Sequence, residues 1–488
     1  MTIDKAFLSA GYWEDRFYSG GWRQAARSQE IFNPASGAKL YRVGVADAAD
    51  VQRAAKSAKR AQAAWTGVDF DRKAGILRNT VRVIEDNTLE IVDSIIRESG
   101  STAPKAQFEV GITVRCLHEA AAMPSQPQGL VLPSPAGRMS FARRMPLGVV
   151  GVISPFNFPL YLAMRAVAPA LAAGNAVVLK PDLRTPLCGG FVIARIFQQA
   201  GLPDDLLHVL PGPAETGEAL CTDPNISMIQ FTGSSNTGRR VGSLAGQHLK
   251  KVSLELGGKS SLIVLADADL DVAASNAGWG AYLHQGQICM AAGRILVERP
   301  IAEELIAKIA ARAGSYSVGD PSSGQFALGP MINQHQRDKT HAIVQDSVSA
   351  GATLVEGGTY ENLFYRPTVL SGVRPGMRAF EEEIFGPVVS VTEFSSDDEA
   401  VELANDTEYG LAGGVISRSV DRAMALGNRL NVGLLHIHDQ TINDEVVNPF
   451  GGRGRSGNGG SIGGPANWEA FTQWQWVTVR REAAPYPL

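Results

Sequence analysis

The spacing of apolar residues along the chain changes period several times, and each change predicts an element. Residues 46–64, ADAADVQRAAKSAKRAQAA, are strong helix formers with acidic residues at the start, and 71–99 repeat apolar positions at helical spacing. The register then breaks. GVVGVI at 148–153 is a short continuous apolar run, the pattern of a strand buried on both faces. Pro159 opens a predicted helix that ends near Gly174, and 176–179 form a second buried strand followed by a helix over 186–200. Further strands are predicted at 206–210, 228–231 and 252–256. Strands alternating with helices predict a parallel, doubly wound sheet of Rossmann type with right-handed crossovers.

A second strand–helix series starts near Ser261 and runs through RILVERP, a helix after Ile301, and VVSVTEF at 388–394. It predicts a second α/β domain. Two segments fit neither series: RMSFARRM at 138–145 and WQWVTVR at 474–480 alternate in part like strands. A terminal strand that mixes polar and aromatic residues makes a poor isolated edge and a good oligomer contact.

A chain of 488 residues exceeds one ordinary core, so more than one domain is expected. A net charge of −4 offers no basic face for nucleic acid or an anionic membrane. The four cysteines (Cys116, Cys188, Cys221 and Cys289) form no CxxC pair, and the histidines form no HExxH, so no metal site is expected. No apolar run reaches membrane-spanning length, and the first residues lack a signal-peptide core. A reducing cytoplasm is the expected location.

Taken singly, the chemically suggestive residues are weak signals. Cys289 in HQGQICMAAGR reads as a small core residue, Glu255 in SLELGGKS as a strand-end glutamate, and Asn157 in SPFNFP as a turn former. FTGSSNTG at 231–238 is a strand entering a glycine loop and a helix, where free N–H groups can hold a pyrophosphate, but it is not GxGxxG. The ordered set is another matter. SPFNFP, GNAVVLKP, FTGSSNTG, LELGGK, GQIC, EEIFGPV and PFGGRGRSG together resemble the aldehyde dehydrogenase superfamily over nearly the whole chain. NFPLYLAMR, KPDLRTP and FTQWQW are most similar to its bacterial benzaldehyde and vanillin dehydrogenase branch.

The resemblance implies a division of labour. Residues 1–125 and 148–257 would form the cofactor-binding domain, 258–447 the catalytic domain, and 126–147 with 470–488 an oligomerisation element of a homodimer or homotetramer. Cys289 would attack the aldehyde carbon, Glu255 would act as general base on the thiol or on the hydrolytic water, and Asn157 would donate to the oxyanion. NAD would be the cofactor, held by Lys180, Phe231, Gly233, Ser234, Glu383 and Phe385. Ile153 and Pro155 would line the same groove or belong simply to the core. Leu183 stands where NAD-preferring relatives often carry a glutamate, and Arg184 follows, so NADP stays open. Ser461 stands where many relatives have another glutamate. Tyr161, Leu162, Ile288, Met290, Val447 and Phe450 are expected around the aldehyde, and their largely apolar character suits an aromatic one. Semialdehyde or aliphatic specificity is the alternative, with Arg165 as a carboxylate anchor instead of a helix-surface or structural arginine; a catalytically silent relative is a third reading. His436 and His438 are expected on one face of a strand.

Overall fold

The computed structural model describes residues 6–483 and 485–486. The first five residues of the expected cofactor domain, and residues 484, 487 and 488 of the expected terminal element, lie outside them. Two seven-stranded sheets carry the fold. In the first, Lys251–Glu255, Met228–Thr232, Val149–Ile153, Ala176–Lys180 and Leu207–Val209 lie side by side and parallel. Arg16–Ser19 and Trp22–Gln24 extend that sheet antiparallel. The first four residues of Val149–Ile153 are buried, as the unbroken apolar run predicts. The chain leaves this central strand for neighbours on one side and later returns to the other. The order therefore reverses between Val149–Ile153 and Met228–Thr232, and the crevice at their C-terminal ends is where doubly wound sheets bind ligands.

The second sheet runs Thr353–Glu356, Thr368–Ser371, Val388–Phe394, Arg294–Glu298, Ser261–Val264, Ala412–Ile416 and Leu434–Ile437, parallel except for the first. Only five residues, 256–260, join the last strand of the first sheet to Ser261, so the two sheets meet around LGGK.

Local chemistry sets the helix ends. Asp47 and Asp50 cap Ala48–Thr66 reciprocally. The apolar repeat over 71–99 is two helices, Phe70–Asp86 and Thr88–Ser99, divided at Asn87, whose Nδ2 donates to Val83 O at 2.7 Å. Pro159–Ala172 is apolar on every side and buried nearly throughout, the signature of a central helix. His438 lies past the end of Leu434–Ile437 with φ of 61°, so His436 and His438 do not share a strand face as expected. Among the described residues no cluster of three His, Cys, Asp or Glu could hold a metal, and no helix is long and apolar enough to cross a membrane.

The two unplaced segments meet. Arg138–Pro146 pairs antiparallel with Thr472–Arg480 along its whole length and with Gly129–Val131 on its other edge. This three-stranded sheet exposes Leu130, Val131, Met139, Trp474, Trp476 and Val479.

Candidate active site

Cys289 is presented by a left-handed turn of the backbone. His284, Gln285 and Gly286 are successive left-handed residues, with φ of 49°, 57° and 66°. A Cβ at Gly286 would stand 2.2 Å from Gly386 O. Gln285 is pinned by its Nε2, which donates to Gly100 O at 3.0 Å and Pro330 O at 2.7 Å. Ile332 N donates to Gln287 Oε1 at 3.0 Å. This turn leaves Ile288 and Met290 buried and Cys289 partly open, while Cys116, Cys188 and Cys221 are buried. Burial, then the charges of Glu383, Asp444 and Glu255, push the Cys289 thiol up to about 12, so the resting group is protonated at neutral pH.

Asn157 reaches the same turn from the crevice of the first sheet. It is buried, and its Nδ2 donates to Gln287 O at 2.9 Å. That bond takes one of two N–H groups, which leaves the other for an oxyanion beside Cys289. The turn that carries Asn157 is anchored by a buried ion pair that the sequence did not disclose. Lys105 Nζ donates to Asn157 O at 2.7 Å and to Glu109 Oε2 at 2.5 Å. Glu109 Oε1 accepts from Leu160 N and Tyr161 N at 2.8 and 3.2 Å, capping the first turn of Pro159–Ala172.

Glu255 ends the last strand of the first sheet. Both of its carboxylate oxygens are buried and have no partner. Burial raises its pKa well above the ordinary carboxylate range; the Arg165 charge opposes this and Asp444 adds to it. Glu255 and Cys289 line one void of about 20 Å³ together with Arg165, Gln230, Thr232 and Phe450. That is room for a single water molecule.

The LELGGK glycines are spacers. A Cβ at Gly257 would lie 2.4 Å from Glu383 Oε2, and one at Gly258 would lie 2.6 Å from Cys289 O. Glu383 is half-buried and its Oε1 accepts from Gly258 N at 3.1 Å; desolvation raises its pKa. Phe385 has φ of 57° and packs edge-on to Phe156, ring centroids 5.9 Å apart.

The remaining dinucleotide candidates lie along the crevice. Ile153 and Pro155 are half-buried at the end of the central strand. Lys180 ends the adjacent strand, and burial lowers its pKa; among the described residues no carboxylate pairs with it. Phe231 is buried beneath Gly233, where a Cβ would stand 2.6 Å from its ring. Ser234 is exposed and caps Ser235–Gln247 by accepting from Thr237 N. Open helix N–H groups, a lysine in no ion pair and a close-packed glycine fit a pyrophosphate-bearing cofactor. Arg184 is engaged by Asp182 through bonds of 2.7 and 2.6 Å.

On the other side of Cys289 lies a cavity of about 560 Å³. Tyr161, Leu162, Ile288, Met290 and Phe450 line it, as does Asn157. Val447 does not: it is 47% exposed, because the loop turns outward there. Phe108, Ile112, Trp279 and Phe326 are among the further apolar residues of its wall, and sequence reasoning missed all four. Phe108, Ile112 and Arg115 follow helical spacing on Ala103–Ala122, a periodicity that would have marked one face. Arg165 is neither on the helix surface nor in this cavity. It is buried, and its Nη1 donates to Asp444 Oδ2 at 2.5 Å.

The chain is similar to known proteins over nearly its whole length. The aldehyde dehydrogenase family matches residues 22–477. A vanillin dehydrogenase from Amycolatopsis sp. is 50% identical, covering 99% of this chain and 100% of its own. A benzaldehyde dehydrogenase (NAD+) from Pseudomonas putida is 48% identical over 98% of each chain. A solved betaine aldehyde dehydrogenase from Staphylococcus aureus, in complex with NAD+, superposes with a TM-score of 0.94 at 28% identity, covering 98% of this chain and 96% of that one.

Proposed function

Since the chain belongs to the aldehyde dehydrogenase family, we propose that it oxidises an aromatic aldehyde of the benzaldehyde or vanillin type to the acid, with NAD as cofactor. The observation that carries this reading is the position of Cys289, between a cavity of about 560 Å³ walled by aromatic side chains and a water-sized void that holds Glu255. The names of the two relatives that match almost end to end support the substrate class and the cofactor.

The residues divide the chemistry as follows. Cys289 gives its proton to solvent water, its sulfur bonds to the aldehyde carbon, and the carbonyl π electrons move onto the oxygen, which becomes an oxyanion. Asn157 donates its second amide N–H to that oxygen; one such donor contributes about 3–4 kcal/mol. Lys180, Gly233, Ser234 and Glu383 would hold NAD, which supplies a hydride acceptor and a positive ring charge. The thioester left on Cys289 is then hydrolysed. Glu255 takes a proton from water in the void, the water oxygen bonds to the acyl carbon, and the sulfur leaves as the acid is released. With Arg184 held by Asp182, its charge is already matched, which favours NAD over NADP.

Arg165 is committed to Asp444, which favours an aromatic aldehyde over a semialdehyde. The four unpaired cysteines suit a reducing cytoplasm, and the exposed aromatics of the three-stranded sheet suit a homodimer or homotetramer. A turnover screen of benzaldehyde, vanillin, hexanal and succinic semialdehyde with NAD and NADP tests the assignment. The highest kcat/KM is expected for benzaldehyde or vanillin with NAD; a clear preference for succinic semialdehyde would overturn it. Cys289→Ala should abolish turnover while retaining NAD binding.

A further inference from the structure

A general base buried without a single hydrogen-bond donor has a problem. Its charged form is disfavoured, which weakens it as a proton acceptor. Glu255 is in that position: 4% exposed, both oxygens unpartnered. The wall of the same small void supplies the remedy. Arg165 enters it from the middle of the central helix Pro159–Ala172. It too is buried, at 4% exposure, and it is held on several sides. Nη1 donates to Asp444 Oδ2 at 2.5 Å and Nη2 to Ile462 O at 3.4 Å, while the guanidinium carbon lies 4.5 Å from the centre of the Phe450 ring. Tyr161 Oη donates to the same Asp444 oxygen at 3.0 Å, so Asp444 is fixed as well. Arg165 Nε has no partner. Two residues with unpaired polar atoms, Arg165 and Glu255, thus line one water-sized space.

We propose that Arg165 is a positioning residue for the hydrolytic step, its clamped charge favouring the ionised form of Glu255 that accepts the water proton and so opposing the burial that disfavours it, while Asp444 tempers that charge. The proposal rests on the reading of Cys289 and Glu255 given above. The charged and titratable groups around Glu255 are few. Arg165 faces it from the central helix, Asp444 from the loop after Leu434–Ile437, and Cys289 from the nucleophile turn. Behind Arg165 stand Tyr161 and Cys116, both raised by burial and therefore neutral at pH 7. The other lining residues, Leu162, Gln230, Thr232, Leu256, Phe450 and Ile462, carry no charge. Against the burial that raises Glu255, the cation of Arg165 pulls its pKa down and the anion of Asp444 pushes it up.

That opposition makes the test. After a single turnover with benzaldehyde and NAD, the rate of acyl-enzyme hydrolysis is followed against pH in the unmodified protein and in Arg165→Met, Arg165→Lys and Asp444→Asn. Folding is checked by circular dichroism. In the unmodified protein hydrolysis should fall on the acid side as Glu255 takes its proton. Arg165→Met removes the cation, and the acid limb should move up by about one pH unit or more. Arg165→Lys keeps the charge and should bring most of the limb back. Asp444→Asn removes the opposing anion, and the limb should move down. An acid limb unmoved in both Arg165→Met and Asp444→Asn would overturn the proposal, as would an upward move in Asp444→Asn. If Arg165→Met does not fold, the downward move of Asp444→Asn is still required. Selective loss of succinic semialdehyde turnover in Arg165→Met, with no move of the benzaldehyde limb, would make Arg165 a substrate anchor instead. Failure of the underlying reading looks different: the unmodified protein would then form no NADH from any aldehyde.

Discussion

Toward the first sheet, Cys289 faces backbone at close quarters; toward the cavity it faces side chains. On the sheet side, added carbons at Gly257, Gly258 and Gly286 would each stand 2.6 Å or less from a neighbouring oxygen. The polar groups there are placed by bonds to backbone, as Asn157 is by Gln287 O and Glu383 by Gly258 N. On the cavity side, Phe108, Trp279 and Phe326 supply area and shape with few directional bonds. The contrast follows from the two tasks. Moving a hydride and splitting a thioester require atoms fixed to a fraction of an ångström, whereas accommodating an aromatic ring requires volume and dryness. One wall should therefore tolerate almost no change and the other should trade specificity for rate by degrees.

The contrast is broken most severely at Gly258. Its missing Cβ would also meet Leu411 Cβ at 3.1 Å, so Gly258→Ala has to displace the nucleophile turn. kcat for benzaldehyde should fall about 100-fold or more in a protein that still folds by circular dichroism. Unaltered kcat would show that the packing around Cys289 is looser than its contacts indicate.

Trp279→Ala probes the opposite wall. Trp279 is 56% exposed, so its removal should leave the fold intact. kcat/KM for benzaldehyde should drop about tenfold, the scale of lost apolar contact, with little change for acetaldehyde. Equal losses for both aldehydes would mean that this wall also positions the reacting atoms.

The smallest effect on chemistry is expected far from both walls. Deleting the chain after Gln473 removes most of the strand Thr472–Arg480 and with it Trp474 and Trp476. Light scattering should report a lower oligomer mass, while NADH formed per site in the first turnover stays near the intact value. An intact protein that already runs as a monomer would dismiss the interface.

The same contrast explains what could be read from the chain. Strands buried on both faces are unbroken apolar runs, so Val149–Ile153 and the first four residues of Ala176–Lys180 stand out by pattern. The motif-bearing residues Cys289, Glu255 and Asn157 do converge, because the turns that carry them need glycine and proline at fixed places. The cavity wall is different. Phe108, Trp279 and Phe326 come from three separate elements, and no short-range spacing links them. Asp444 was invisible for a related reason: its partners Tyr161 and Arg165 lie nearly 300 positions away along the chain. Asn87 shows a local limit, since a side chain bonding back to Val83 O divides an apolar repeat that otherwise looks continuous. Val447 failed because motif distance fixes neighbours in sequence but not which way an exposed loop turns.

The central claim is that Cys289 carries the acyl group and Glu255 releases it. Glu255→Gln keeps the shape of the side chain and removes its ability to take a proton. Rapid mixing of this variant with benzaldehyde and NAD should give a burst of close to one NADH per active site. Steady turnover should then run about 100-fold or more below that of the unmodified protein. A variant that matches the unmodified protein in both burst and steady rate would contradict the account.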